Sequence, residues 1–316
     1  MRVVAIEEHH IMPEMTGPLG LDQLPPAMRA RLHATVDERL ADMDATGIDM
    51  QVLSVVMPTP EMLPVETAVP LARKANEQLN SMVSAHPDRF AAFATLPVTV
   101  PDAAAAELER AVGELGFVGA MISGTIGGRF LDAPLFDPVL DAAARLDVPI
   151  YLHPAPPPQA VADVYYTGFA APVSQILATG GYGWHYEASL HALRMIVGGV
   201  FDRLPGLKVI LGHLGEGIPF HLSRIDDTLP PAVSGLAKPV GDYFRTNFWA
   251  TTSGYFHDGP FRLTREVFGD ERVIFSVDYP FADNRRARDW FDRLDLTPAV
   301  REEIAHGTVD ELLRLR

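Results

Sequence analysis

Val3-Val4-Ala5-Ile6-Glu7-Glu8-His9-His10 begins as a short apolar β-rich run and ends in two carboxyls and two imidazoles. A doubly wound nucleotide-binding sheet would place a Gly-rich phosphate turn after its first strand, and ionisable side chains stand there instead. Similar runs recur at Met50 to Val56, Phe90 to Thr95, Phe117 to Ile122, Val148 to Leu152, Leu207 to Leu211, Asn247 to Ala250 and Val273 to Val277. Between them, period and capping predict helices over Asp37 to Ala45, Glu66 to Ala85, Asp102 to Leu115, Phe136 to Leu146, Ala188 to Leu204 and Asp289 to Leu294. Such alternation means parallel strands joined by crossover helices. Eight strands in 316 residues predict an α/β protein of the (β/α)8 TIM-barrel type, one domain spanning 1–316. Long active-site loops are expected at about 11–32, 154–184 and 228–243. The second leaves a strand end beside His153 and carries Tyr165, Tyr166, Phe169 and Trp184, which suit stacking on a ring.

The chain has 41 Asp plus Glu against 26 Lys plus Arg, a net charge of -15, and this argues against nucleic-acid or anionic-membrane partners. It has no cysteine, so disulfides, Cys-ligated clusters and a thiol nucleophile are excluded, and any metal must be held by His, Asp and Glu. No signal-peptide core opens the sequence and no run of apolar residues is long enough for a membrane span, so a cytoplasmic enzyme acting on small molecules is expected.

In a barrel of this kind the site lies at the C-terminal strand ends. Glu7, Glu8, His9 and His10 end the first run, His153 the fifth, His213 follows the sixth and Asp278 the eighth. Any one of these is an ordinary structural residue by itself. Barrel closure brings all four strand ends to one mouth, and their types are those of metal ligands. Strand period places Glu7 with His9 and Glu8 with His10, without choosing the pair that faces the mouth. In the last run, Val273, Phe275 and Val277 suit the helix side, leaving Ile274, Ser276 and Asp278 inward. Carboxylates and imidazoles without thiolate suit Zn2+ or another divalent ion such as Mn2+ in a partly open site, with hydrolysis or decarboxylation as the chemistry. His33, His86 and His306 read as surface residues, and His191 and His221 as helical ones. His257 could visit the site, and His185, at the end of the second long loop, is a substrate-contact candidate.

Several motifs together resemble one family across nearly the whole chain. They are Ala5-Ile6-Glu7-Glu8-His9, Tyr151-Leu152-His153-Pro154, Leu211-Gly212-His213-Leu214-Gly215-Glu216-Gly217 and Phe275-Ser276-Val277-Asp278-Tyr279-Pro280-Phe281. The chain resembles the amidohydrolase-related metal-dependent decarboxylases, the aminocarboxymuconate-semialdehyde decarboxylase family, in the branch that acts on hydroxybenzoates such as γ-resorcylate. Glu7-x-His9 looks like that branch's variant of the wider superfamily's His-x-His. The resemblance implies one divalent ion, Zn2+ or Mn2+, held by Glu7, His9, His153 and Asp278. It makes His213 the catalytic histidine, with Glu216 holding its ring, and Asp278 the usual proton donor. Arg224 matches an arginine that meets substrate anions, while Phe281 stands in the substrate-binding region where some relatives have Tyr. The implied reaction is non-oxidative decarboxylation of an ortho-hydroxybenzoate, with ring-carbon protonation preceding CO2 release, in a homodimer or homotetramer. The rivals are a lactone, ester or amide hydrolase using the same ligands, and a non-catalytic barrel. Gly307-Thr308-Val309 departs from the family's Gly-Asn-Ala element.

Overall fold

A computed structural model describes residues 1–17, 21, 24–55 and 63–315. Its strands are β1 (Val4–His10), β2 (Met50–Val55), β3 (Phe90–Ala92), β4 (Ala94–Thr95), β5 (Ala120–Ser123), β6 (Ile150–His153), β7 (Val209–Leu211), β8 (Phe248–Thr251) and β9 (Val273–Ile274). Every ladder is parallel, in the order β1-β2-β3 and β4-β5-β6-β7-β8-β9. The break between β3 and β4 is the single residue Phe93, whose N–H bonds Leu53 O at 2.9 Å while that of Ala94 bonds Gly119 O at 2.8 Å. The strand simply passes its hydrogen bonding from one neighbour to the other. With β3 and β4 as one interrupted strand, the fold is a (β/α)8 barrel. Val56, the expected end of the second run, lies outside the described residues.

Closure differs from the regular strand expected over Val273 to Val277. Only β9 is regular, and beyond it side chains complete the seam. Ser276 Oγ accepts from the N–H groups of Ile6 (3.2 Å) and Glu7 (2.8 Å). Glu8 Oε1 accepts from Val277 N–H at 3.0 Å, and one bridge joins Glu8 to Tyr279, with His9 N–H on Tyr279 O at 2.7 Å. The expected sidedness still holds around it. Ile274 packs inside with Val4, Ile6, Val52, Phe93 and Ile210, whereas Val273, Phe275 and Val277 join the core under the helices.

Helix starts and stops obey local chemistry. Thr35 and Glu38 form a capping box before Val36–Thr46, which ends at Gly47 with φ 68°. The expected helix Ala188 to Leu204 is two: Gly183–Val197, then Val200–Arg203 after Gly199 at φ 74°. The long segments expected to be loops are largely helical. They hold Pro13–Thr16 and Pro26–Leu32, then Gln159–Tyr165 and Ala171–Ala178, then Pro231–Ser234 and the start of Val240–Asn247. In each, proline stands at or beside the first turn, where a preset φ and a missing N–H help a helix begin rather than break it. Among the described residues, no helix is long and apolar enough to cross a membrane.

Candidate metal centre

Val4 and Ile6 face the barrel interior, so strict alternation would bring Glu8 and His10 after them; a register shift in β1 between Ala5 and Glu8 instead turns Glu7 and His9 toward the mouth and Glu8 and His10 into the wall. His153 ends β6, and Asp278 comes after the closing seam with φ 74°. The four side chains of Glu7, His9, His153 and Asp278 each offer a ligand atom, all within 4.8 Å of one another. Glu7 Oε1 lies 3.2 Å from His153 Nε2, and His9 Nε2 lies 3.3 Å from Asp278 Oδ1.

Partners outside the cluster orient these groups. His153 Nδ1 donates to Pro154 O at 2.7 Å, which leaves the lone pair of its Nε2 for the centre, and His9 Nδ1 is bonded to Ser54 Oγ at 3.0 Å, which aims its Nε2 at the same point. Tyr151 hydroxyl donates to Glu7 Oε2 and is itself bonded to Thr251 Oγ1 at 3.0 Å. Glu7 Oε1 and His9 Nε2 are buried with no hydrogen-bond partner among the described residues, which is costly for polar atoms unless something else satisfies them. Two carboxylates and two imidazoles, with Glu7 Oε1 and His9 Nε2 among their unpartnered atoms, fit a divalent cation.

Burial pushes the Glu7 carboxyl up, but the cationic field of His213 and the adjoining imidazole of His153 outweigh it and hold it well below the usual carboxylate range. Glu8, one residue on, has the opposite fate: burial raises it to about 8 despite the Val277 N–H. At neutral pH one is an anion in the mouth and the other a neutral acid in the wall.

His213 stands after β7 on an unusual turn. His213, Leu214, Gly215, Glu216 and Gly217 all have φ between 49° and 80°. Left-handed backbone disfavours residues with a Cβ, so a run holding three of them needs support. Leu214 N–H bonds Thr251 O at 2.7 Å, and His213 N–H bonds Ser253 Oγ at 3.1 Å. The turn curls Glu216 back under the imidazole, placing Oε1 2.7 Å from His213 Nδ1. His213 Nε2 then faces Glu7 Oε1 at 3.7 Å and Asp278 Oδ2 at 3.8 Å. Burial works against charge on His213, but Glu216 and Glu7 together hold it protonated well above the ordinary histidine range. The other oxygen of Glu216 lies 2.5 Å from His185 Nδ1.

A cavity of about 1390 Å3 opens beside this group and reaches His185, His213, Glu216 and Tyr255. Arg224 lines it from the exposed side of the helix Ile218–Thr228, and none of the four clustered residues is part of that lining. Phe281 lies over the centre, its ring 5.7 Å from that of His9 and 44% exposed. The ring-stacking expectation for the second long segment divides: Tyr165 and Tyr166 line the cavity, the first largely exposed and the second buried, while Phe169 and Trp184 are not part of its lining. His257 is exposed at a helix start and joins neither cluster, and His191 is a buried acceptor for Leu131 N–H at 2.8 Å. His33, His86 and His306 are half-buried rather than fully exposed. Residue-by-residue reading missed Tyr151, Ser54, Thr251 and Tyr255. Tyr151 had a signal, standing two residues before His153 and hence on the same face of β6.

The sequence profile of the Amidohydrolase family matches residues 7–315. Gamma-resorcylate decarboxylase of Rhodococcus jostii is 38% identical over 99% of this chain and 98% of its own. The crystal structure of a 2,6-dihydroxybenzoate decarboxylase with 2,6-dihydroxybenzoate superposes with a TM-score of 0.91 at 35% identity, covering both chains completely. A dihydroxybenzoic acid decarboxylase of Polaromonas sp., solved with manganese and the inhibitor 2-nitroresorcinol, gives a TM-score of 0.91 at 34% identity over 99% of this chain and 97% of that one. With profile, full-length relatives and solved structures in agreement, the chain belongs to the Amidohydrolase family.

Proposed function

We propose that the protein is a metal-dependent decarboxylase of an ortho-hydroxylated aromatic acid, with Glu7, His9, His153 and Asp278 holding one Mn2+ or Zn2+. The observation that carries this reading is the juxtaposition of that ligand set with a third imidazole, His213, whose Nε2 faces the same space as both of its carboxylates. Relatives that span the whole chain are named decarboxylases, which supports the same reading. Exposed apolar side chains on the helices at 159–197 support a homodimer or homotetramer.

Net decarboxylation converts an aryl carboxylate and a proton into an arene and CO2, so a proton must reach the carboxylated ring carbon. Ring π electrons form the new C–H bond, and the electrons of the breaking C–C bond restore the ring as CO2 leaves. A bound divalent ion supplies charge that offsets the substrate's carboxylate and phenolate. In this reading Asp278 carries the proton and His213 resupplies it, a division supported by the 3.8 Å between Asp278 Oδ2 and His213 Nε2. Glu216 fixes the ring and tautomer of His213. Arg224, with a guanidinium fork suited to carboxylate or phenolate, serves as an anion contact from the cavity side.

The test is to offer Zn-loaded and Mn-loaded protein a panel of ortho-hydroxybenzoates beside aryl lactones and esters, with products read by mass spectrometry. CO2 loss that a chelator abolishes is expected. Water addition to a lactone or ester, with the acids untouched, would overturn the reading and leave a hydrolase.

A further inference from the structure

Glu216 is shared. Its Oε1 faces His213 Nδ1 at 2.7 Å and its Oε2 faces His185 Nδ1 at 2.5 Å, so one fully buried carboxylate lies between two imidazoles. Burial alone would raise its pKa, but His213 and His185 outweigh that and keep it ionised. An anion between two ring nitrogens is satisfied when both are N–H donors. His185 has a further tie, because Tyr255 hydroxyl lies 3.4 Å from its Nε2. A hydroxyl donating there leaves the His185 proton on Nδ1, the atom that faces Glu216. Rings also confine it: His185 meets Tyr255 edge-on at 5.4 Å and His213 at 5.1 Å between centroids. Sequence had offered His185 as a substrate contact, but its Nδ1 is committed to Glu216 and only 11% of its side chain is exposed.

We propose that His185, pinned by Tyr255, is a positioning residue that acts through Glu216 to set the orientation and tautomer of His213. The consequence is directional. With both carboxylate oxygens engaged, Glu216 cannot rotate, His213 keeps its proton on Nδ1, and Nε2 stays aimed at the space beside Glu7 and Asp278. Glu216 sits in left-handed backbone at φ 55°, so the bond from His185 also steadies a turn that local preference opposes. The inference rests on the proposed role of His213 in turnover.

The experiment compares Zn-loaded wild type, His185→Leu and His185→Asn, whose side-chain amide can replace the Nδ1 donor. It reads metal content, kcat, KM and the downfield Nδ1–H NMR resonance of His213, assigned with His213→Ala. His185→Leu is expected to keep its metal and its KM, lose about 10- to 100-fold in kcat and lose or broaden the resonance, as an outer orienting partner does. His185→Asn restores most of both. Unchanged kcat and resonance in His185→Leu overturn the proposal, as does a raised KM at unchanged kcat, which makes His185 a substrate contact. If wild type turns over no hydroxybenzoate, the decarboxylase reading fails, while the resonance still decides whether His185 holds Glu216 and, through it, His213.

Discussion

The strand-end cluster and the helical wall at 159–197 leave opposite kinds of group unsatisfied. In the cluster, polar atoms are buried and each imidazole is aimed by a partner behind it, His9 by Ser54 and His153 by the Pro154 carbonyl. In the wall, apolar atoms are left outside: Val164 is 74% exposed and Ile176 62%. The cluster is therefore rigid and short of a cation, whereas the wall is short of a covering surface. The groups a region leaves unsatisfied say more about its role than the groups it has buried.

Removing a ligand is the most severe way to test this contrast. His153→Ala and Asp278→Ala are expected to lose metal and activity together, as read by elemental analysis and assay. His213→Ala should keep most of its metal while kcat falls about 10²- to 10⁴-fold. Metal loss from His213→Ala would make it a ligand and dissolve the division between the two groups.

Tyr151→Phe probes the support behind a ligand. It deletes the donor to Glu7 Oε2 and leaves Thr251 Oγ1, 3.5 Å away, as the remaining hydroxyl. Metal affinity, measured by competition with a chelator, should fall about 10- to 100-fold. An unchanged affinity would mean that the barrel alone orients Glu7.

On the wall, Val164→Asp with Ile176→Asp should lower the particle mass seen by light scattering and leave metal affinity alone. A change in affinity with no change in mass would reverse the roles assigned to the two regions.

The smallest effect concerns His191, in the wall's longest helix. Burial lowers its pKa from 6.5 to about 3, and its neutral ring accepts from Leu131 N–H. A histidine depressed in the folded state adds stability above its unfolded pKa and loses it as pH falls from about 6.5 toward 3. His191→Gln, which can keep an acceptor without titrating, should show a shallower fall in melting temperature across that window. An equal slope in both proteins would place the acid sensitivity elsewhere.

The barrel was legible because each strand and helix announces itself over a few residues. The cluster was partly legible for the same reason: Glu7 and His9 share a strand face, and His153 stands where an apolar run ends. The helices in the long segments were less legible because each is only four to eight residues long, too short for a clear period. The closing seam was illegible because Ser276 and Glu8 replace backbone pairing with side-chain bonds across 268 residues of sequence.

Sequence by itself determined the alternation of parallel strands and helices, the absence of thiol chemistry and the ligand types available at the strand ends, since composition and period are local properties. Only the tertiary structure decided that His185 Nδ1 meets Glu216, that Glu8 is a neutral acid beside an anionic Glu7, and that five left-handed residues fold Glu216 beneath His213. Each depends on distance and burial between residues far apart in the chain or turned to opposite sides of one strand, and neither quantity exists until the barrel has closed.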